Sequence, residues 1–128
     1  AKSGIGDLLF LKAAYAVAIT MFALIAVGVT VAVPLMWVIY AICGTAATTL
    51  SYPILSKRFP AALAGRVNTA TNMLVFVWAF ISQWGIGAVI GMWPAQGGHY
   101  AIGGYQAAFG VSLLLQVGAF VLLLAQRK

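Results

Sequence analysis

The chain has almost no acidic side chains: Asp7 is its single carboxylate residue, against seven Lys and Arg. Histidine and cysteine also occur once each, as His99 and Cys43. Acid–base and nucleophilic catalysis need paired groups of these kinds, so we expect no catalytic residues and no enzyme activity. A lone cysteine excludes an internal disulfide and a thiolate cluster, so we expect no metal and no cofactor. Asp7 itself is expected to cap a helix or to pair with a nearby lysine.

The chain also has too few charged residues to build a water-soluble surface. Charged residues make up 6% of it and hydrophobic residues 64%, whereas soluble domains carry about 25% charged residues. Although the net charge is +6, the bases are few and scattered. This pattern favours contact with anionic lipid headgroups over binding of nucleic acid. A lipid bilayer is therefore the expected partner.

Four apolar runs without Asp, Glu, Lys or Arg predict four transmembrane helices, because about 20 apolar residues cross a hydrocarbon core about 30 Å thick. The predicted spans cover about residues 13–33, 34–56, 67–93 and 104–125, with a cytoplasmic loop at 57–66 and an outer loop at 94–103. Pro34 suits the first turn of the second span, which makes spans one and two a tight hairpin. The predicted fold class is all-α: a polytopic membrane protein whose residues 1–128 form one domain.

All seven basic residues fall on one side if the chain crosses the membrane at each run. Short loops rich in Lys and Arg mark the cytoplasmic face. We therefore expect both termini in the cytoplasm. Arg58 and Arg66, in the most basic loop, are expected either to bind headgroup phosphates or to dock onto a neighbouring cytoplasmic loop and latch one conformation.

Two of the spans carry polar side chains at helical spacing. One face of the second span holds Ala41, Thr45, Thr48, Thr49, Tyr52 and Ser56, and one face of the third holds Asn68, Asn72, Phe76, Ala79, Gln83 and Gly87. A polar stripe on a spanning helix faces protein or water more readily than lipid. Two plainer readings stay open: threonine hydroxyls that bond back one turn, and Gln83 as a contact to a partner helix. Gly87, Gly91 and Gly110 are expected to mediate helix packing.

Several short motifs in the second half of the chain resemble one family. They are RFP at Arg58–Pro60, LAGRVNTA at Leu63–Ala70, QWGIG at Gln83–Gly87 and GYQAAFG at Gly104–Gly110. The stretch 52–90 resembles the tenth helix, the following loop and the eleventh helix of bacterial major facilitator superfamily (MFS) transporters. The last motif resembles the opening of their twelfth helix.

The resemblance implies a partial bundle from a twelve-helix secondary transporter of the bacterial inner membrane, which carries a small solute by alternating access. It implies that the tenth and eleventh helices face the cavity. On this reading the substrate pathway is lined by Thr45, Thr49, Tyr52, Asn72, Phe76 and Gln83.

The length of the chain leaves other possibilities open. A sequence of 128 residues that opens on Ala is expected to be a piece of a transporter, completed by its remainder, or a unit that forms a homo-oligomer. The alternative function is a small non-transporting membrane protein or assembly module that uses its helices as packing surface. A four-helix drug exporter that works as a dimer ranks last, because the membrane-buried Glu of that family is missing.

Overall fold

The computed structural model describes residues 3–95 and 97–125, and this part of the chain forms four long helices. They are α1 (Ser3–Ala26), α2 (Val33–Ser56), α3 (Ala64–Gly91) and α4 (Ile102–Ala125), with a short 3-10 turn at Ala61–Leu63. Each of the four contains a segment long and apolar enough to cross a membrane. The predicted all-α class with four candidate spans is confirmed. Three of the seven basic residues, Lys2, Arg127 and Lys128, lie outside the described residues.

The first helix lies earlier in the chain than the span predicted from hydropathy. It ends at Ala26, and Gly28 adopts a left-handed conformation with φ 88°. A glycine in this conformation commonly follows the last helical turn, since it lacks the Cβ that would clash. The Val29 N–H donates to the Leu24 carbonyl at 3.0 Å and closes that turn. Hydropathy does not register this stop because valines continue the apolar run on both sides of the glycine.

The other helix boundaries lie closer to the predicted ones. Pro34 occupies the first turn of α2, as predicted, where its missing N–H leaves no hydrogen bond unmade. The third helix begins at Ala64, so Gly65 and Arg66 belong to its first turn and not to the loop. The preceding 3-10 turn, in which the Leu63 N–H donates to a carbonyl at 2.8 Å, leads directly into this helix.

The helices associate through small side chains. Helix α1 contacts α2 most extensively and also contacts α4, which in turn contacts α3. Ala47 on α2 is fully buried against Leu11 and Ala14 of α1, and Ala108 on α4 is 1% exposed. Small residues allow helix backbones to approach closely, which is how helices associate in lipid.

Large apolar side chains cover the outside of the bundle. Phe80 is 72% exposed, and Trp84 and Leu122 are each 71% exposed. Among its described residues, α3 has none that is buried. Apolar surface of this extent is incompatible with water. The helices therefore belong in a lipid bilayer.

Candidate functional site

A groove of about 800 Å³ lies between the four helices. Its volume falls within the range of about 300–1,000 Å³ that is typical of small-molecule sites. The groove is lined by Tyr15, Ala18 and Phe22 of α1; Trp37, Tyr40, Ala41, Gly44, Thr45, Thr48 and Thr49 of α2; Trp78, Ser82 and Ile86 of α3; and Phe109, Ser112, Leu115, Gln116 and Ala119 of α4. This lining, taken from the described residues, contains no charged side chain.

The α2 wall of the groove carries three threonine hydroxyls. The Thr48 hydroxyl donates to the Gly44 carbonyl at 2.9 Å, which is the local bonding expected of threonine in a membrane helix. Thr45 and Thr49 form no such bond within residues 6–95 and 97–125, and both side chains are exposed. Their hydroxyls are therefore open to whatever fills the groove.

Four aromatic rings form the part of the groove wall that lies far from the basic loop at 57–66. Phe22 lies 5.4 Å from Tyr40 and 5.6 Å from Phe109, measured between ring centroids. Trp37 meets Tyr40 edge to face at 5.7 Å. Aromatic pairs in these arrangements contribute about 0.5–1.5 kcal/mol each beyond their buried area. This aromatic cluster (Phe22, Trp37, Tyr40 and Phe109) joins α1, α2 and α4.

Gln116 on α4 is a polar lining residue to which the spacing of the sequence did not point. Its side chain lies within hydrogen-bonding reach of the Tyr40 hydroxyl. It lines both the groove and a second, partly open pocket of about 340 Å³ between α1, α2 and α4. The sequence did contain a signal for this residue, namely an amide within a leucine-rich run, because such a group needs a hydrogen-bond partner to be stable in hydrocarbon.

Hydrogen bonds tie α2 to α3 at the end of the bundle that carries the basic loop. The Tyr52 hydroxyl donates to Asn72 Oδ1 at 3.2 Å, and the Ser56 hydroxyl donates to Asn68 Oδ1 at 2.6 Å. The structure thus brings together two of the predicted pathway residues, Tyr52 and Asn72. They form a clasp between the helices and do not line the groove. We call these four residues the inter-helix clasp.

An ion pair lies at the same end of the bundle. The Asp7 carboxylate is 3.6 Å from the Lys57 ammonium, which joins the start of α1 to the end of α2. The prediction that Asp7 pairs with a nearby lysine is confirmed. Arg58 and Arg66 are exposed at this end, so both could contact headgroups or another loop, and their role stays a prediction.

The remaining predicted pathway residues lie on α3 outside the groove. Phe76 is 68% exposed, and the Gln83 side chain is also exposed, with no hydrogen-bond partner in the part of the chain that the structure describes. Helix α3 turns Ser82 and Trp78 toward the groove instead. The pathway role of Phe76 and Gln83 stays a prediction.

The glycines predicted to pack helices do not meet a close neighbour inside the bundle. A Cβ built at Gly87, Gly91 or Gly110 finds no atom within 4 Å among the described residues. These glycines therefore mediate no close helix contact within the described bundle, and their packing role stays a prediction. A close approach between helix backbones occurs instead at Gly104, where a Cβ would meet the Ile90 carbonyl oxygen at 3.0 Å.

Comparison of the chain with protein-family models, curated proteins and solved structures finds no match. Within the described residues, no group of three or more His, Cys, Asp and Glu side chains is placed to hold a metal ion. The groove and its uncharged polar side chains are therefore the features on which a function rests.

Proposed function

We propose that the chain is the C-terminal four-helix segment of an MFS-type permease, which moves a small solute across the bacterial inner membrane by alternating access. Both termini lie in the cytoplasm in this proposal. Arg58 and Arg66 there contact headgroups or latch onto a loop of the remaining protein. The observation that carries the proposal is the groove, whose lining includes polar side chains of α1, α2, α3 and α4, while large apolar side chains cover the outside of the bundle.

The bonding of the groove hydroxyls supports a solute pathway over simple packing. A polar group without a protein partner is stable within a bilayer when it faces water or a solute. The hydroxyls of Thr45 and Thr49 are in this position, since neither bonds to the backbone or to another described side chain. Packing alone gives no reason to place them on the groove side of α2.

The motifs in the sequence support the same proposal independently. The stretch from Arg58 to Gly87 contains RFP, LAGRVNTA and QWGIG, which resemble the loop and the eleventh helix of MFS transporters. This loop and its neighbours connect α2 and α3, the two helices tied by the inter-helix clasp. In the proposal, breaking and re-forming this clasp accompanies the change in access.

The experiment that tests the proposal asks whether water reaches the groove. A single cysteine replaces Thr45 or Thr49 in a Cys43→Ala chain, which is reconstituted in proteoliposomes and treated with a charged, membrane-impermeant methanethiosulfonate. A solute pathway predicts rapid labelling of both cysteines. The matched control is Ile42→Cys, on the same helix but outside the groove and 63% exposed, which should stay unlabelled because thiols in lipid do not ionise.

A labelling rate at Thr45→Cys and Thr49→Cys no higher than at Ile42→Cys would contradict the proposal. The groove would then be a packing surface, which is the expectation for an assembly module without transport activity.

A further inference from the structure

We propose that the groove binds an uncharged aromatic solute that carries a hydrogen-bonding group, with the Gln116 amide as its polar contact. This inference deepens the proposed function, on which it rests for the assumption that a solute enters the groove. It names the class of solute and a residue that determines specificity.

The aromatic side chains of the groove provide stacking surface. Trp37 meets Phe22, Tyr40 and Phe109 edge to face, with interplanar angles of 71°, 84° and 72°. These contacts leave Trp37 39% exposed, and Trp78 on α3 is 56% exposed. Both indoles line the groove. A flat ring can stack on such surfaces in the offset or edge-to-face geometry that aromatic groups prefer.

The absence of charge from the groove selects against ions. Its described lining has hydroxyls, phenols and one amide, without a carboxylate, an ammonium or a guanidinium. An ion moved from water into such a site loses its hydration and finds no opposite charge, which costs several kcal/mol. Of the four described basic residues, Lys57, Arg58 and Arg66 lie at the end of the bundle, and Lys12 lies on α1 and does not line the groove. The solute is therefore uncharged.

The Gln116 amide offers a solute more hydrogen-bonding positions than any other polar side chain in the described lining of the groove. A glutamine side chain offers two N–H donors and two acceptor lone pairs. The Tyr40 hydroxyl lies near this amide, and Gln116 forms no hydrogen bond with any other residue in the described part of the chain. Ser112, one turn earlier on α4, already donates to the Ala108 carbonyl at 2.9 Å. Because Gln116 lines the groove, a solute N–H or O–H that enters there can bind its amide.

The experiment measures equilibrium binding of tritiated indole, an uncharged aromatic molecule with one N–H, to the chain in lipid nanodiscs. Empty nanodiscs measure partition into lipid. The inference predicts saturable binding that Gln116→Leu weakens by about tenfold, the loss expected for one hydrogen bond. Gln106→Leu is the matched control, because Gln106 lies on the same helix outside the groove. Unlabelled benzoate and trimethylphenylammonium, which are charged aromatic molecules, should not compete.

A second variant guards against a folding defect in Gln116→Leu. Tyr40→Phe keeps the ring but removes the hydroxyl that lies near the Gln116 amide and holds it in position. This variant should therefore bind indole more weakly while it elutes as a monodisperse peak. The inference is overturned if the chain in nanodiscs retains no more indole than empty nanodiscs do. It is also overturned if either charged molecule competes with indole, or if both variants bind indole with unchanged affinity.

Cysteine labelling separates the two proposals. Reactive cysteines at Thr45 and Thr49 without indole binding would leave the pathway standing and reject the solute class. Unreactive cysteines with saturable indole binding would instead indicate a closed binding pocket and reject transport.

Discussion

Helices α3 and α4 approach each other closely at Gly104, and replacement of this glycine by alanine should loosen the bundle. A Cβ at Gly104 would lie 3.0 Å from the Ile90 carbonyl oxygen and 3.3 Å from the Ile90 Cα. Ordinary contacts of a Cβ lie at 3.4–4 Å. Both neighbours are backbone atoms of a helix, so no side-chain rotation can relieve the contact. The two helices must instead separate by a few tenths of an ångström.

The magnitude follows from two opposing effects. Overpacking of this kind costs about 1–3 kcal/mol. Alanine in place of glycine within a helix stabilises it by about 0.5–1 kcal/mol, with the smaller value applying to Gly104 because it lies in the first turn of α4. We expect a net loss of about 1 kcal/mol for Gly104→Ala. The control Gly118→Ala, where a Cβ meets no atom within 4 Å, should gain about 0.5 kcal/mol.

The assay can use the chain's own cysteine as a reporter. Cys43 is partly buried in α2, so a thiol-reactive fluorophore reports its exposure as the detergent-solubilised protein is heated. The unfolding midpoint should fall for Gly104→Ala and rise slightly for Gly118→Ala. A midpoint for Gly104→Ala at or above that of the unchanged chain would refute the close packing of α3 against α4.

Three further predictions follow from the packing and the polar contacts. Phe22→Ala should lower the free energy of unfolding by about 3 kcal/mol, because this ring is 5% exposed and contacts three other rings. The control Phe80→Ala replaces a side chain that is 72% exposed and should leave the unfolding midpoint nearly unchanged. Equal effects of the two substitutions would contradict a core at Phe22. Cysteines at Ser56 and Asn68, whose polar atoms lie 2.6 Å apart in the native chain, should be joined by a short bifunctional methanethiosulfonate, and failure of this reagent to crosslink them would contradict the contact between α2 and α3. Asp7→Asn should lower the free energy of unfolding by at most about 0.5 kcal/mol, because the ion pair of Asp7 is largely exposed. A larger loss of stability that persists in high salt would contradict a simple surface ion pair.

The helices could largely be predicted from the sequence, because hydropathy over twenty residues depends little on tertiary contacts. The number of spans and the position of Pro34 at the start of α2 follow from composition and backbone chemistry. The end of α1 does not, since it depends on the left-handed conformation of Gly28, which a run of apolar residues conceals. A glycine flanked by valines ends a helix only if the next helix packs against the first one, and this depends on tertiary contacts.

The candidate site could be predicted only in part. Helical spacing placed Thr45 and Thr49 on one face, and that face lines the groove. Spacing cannot tell which neighbour a face meets, so it also selected Phe76 and Gln83, which lie on α3 outside the groove. Gln116 reaches the groove because α4 packs against α1, a contact between distant parts of the chain that periodicity does not contain.

In a bundle of four membrane spans, the basic loop at one end and the α3–α4 loop at the other lie on opposite sides of the bilayer. The direct measurement uses a Cys43→Ala chain expressed in bacteria, with a single cysteine either at Phe59 in the basic loop or at His99 in the α3–α4 loop. Each cysteine is then treated with a membrane-impermeant maleimide. We expect His99→Cys to be labelled in intact spheroplasts and Phe59→Cys to be labelled only after permeabilisation. Labelling of both cysteines in intact spheroplasts, or of neither, would contradict the four-span topology.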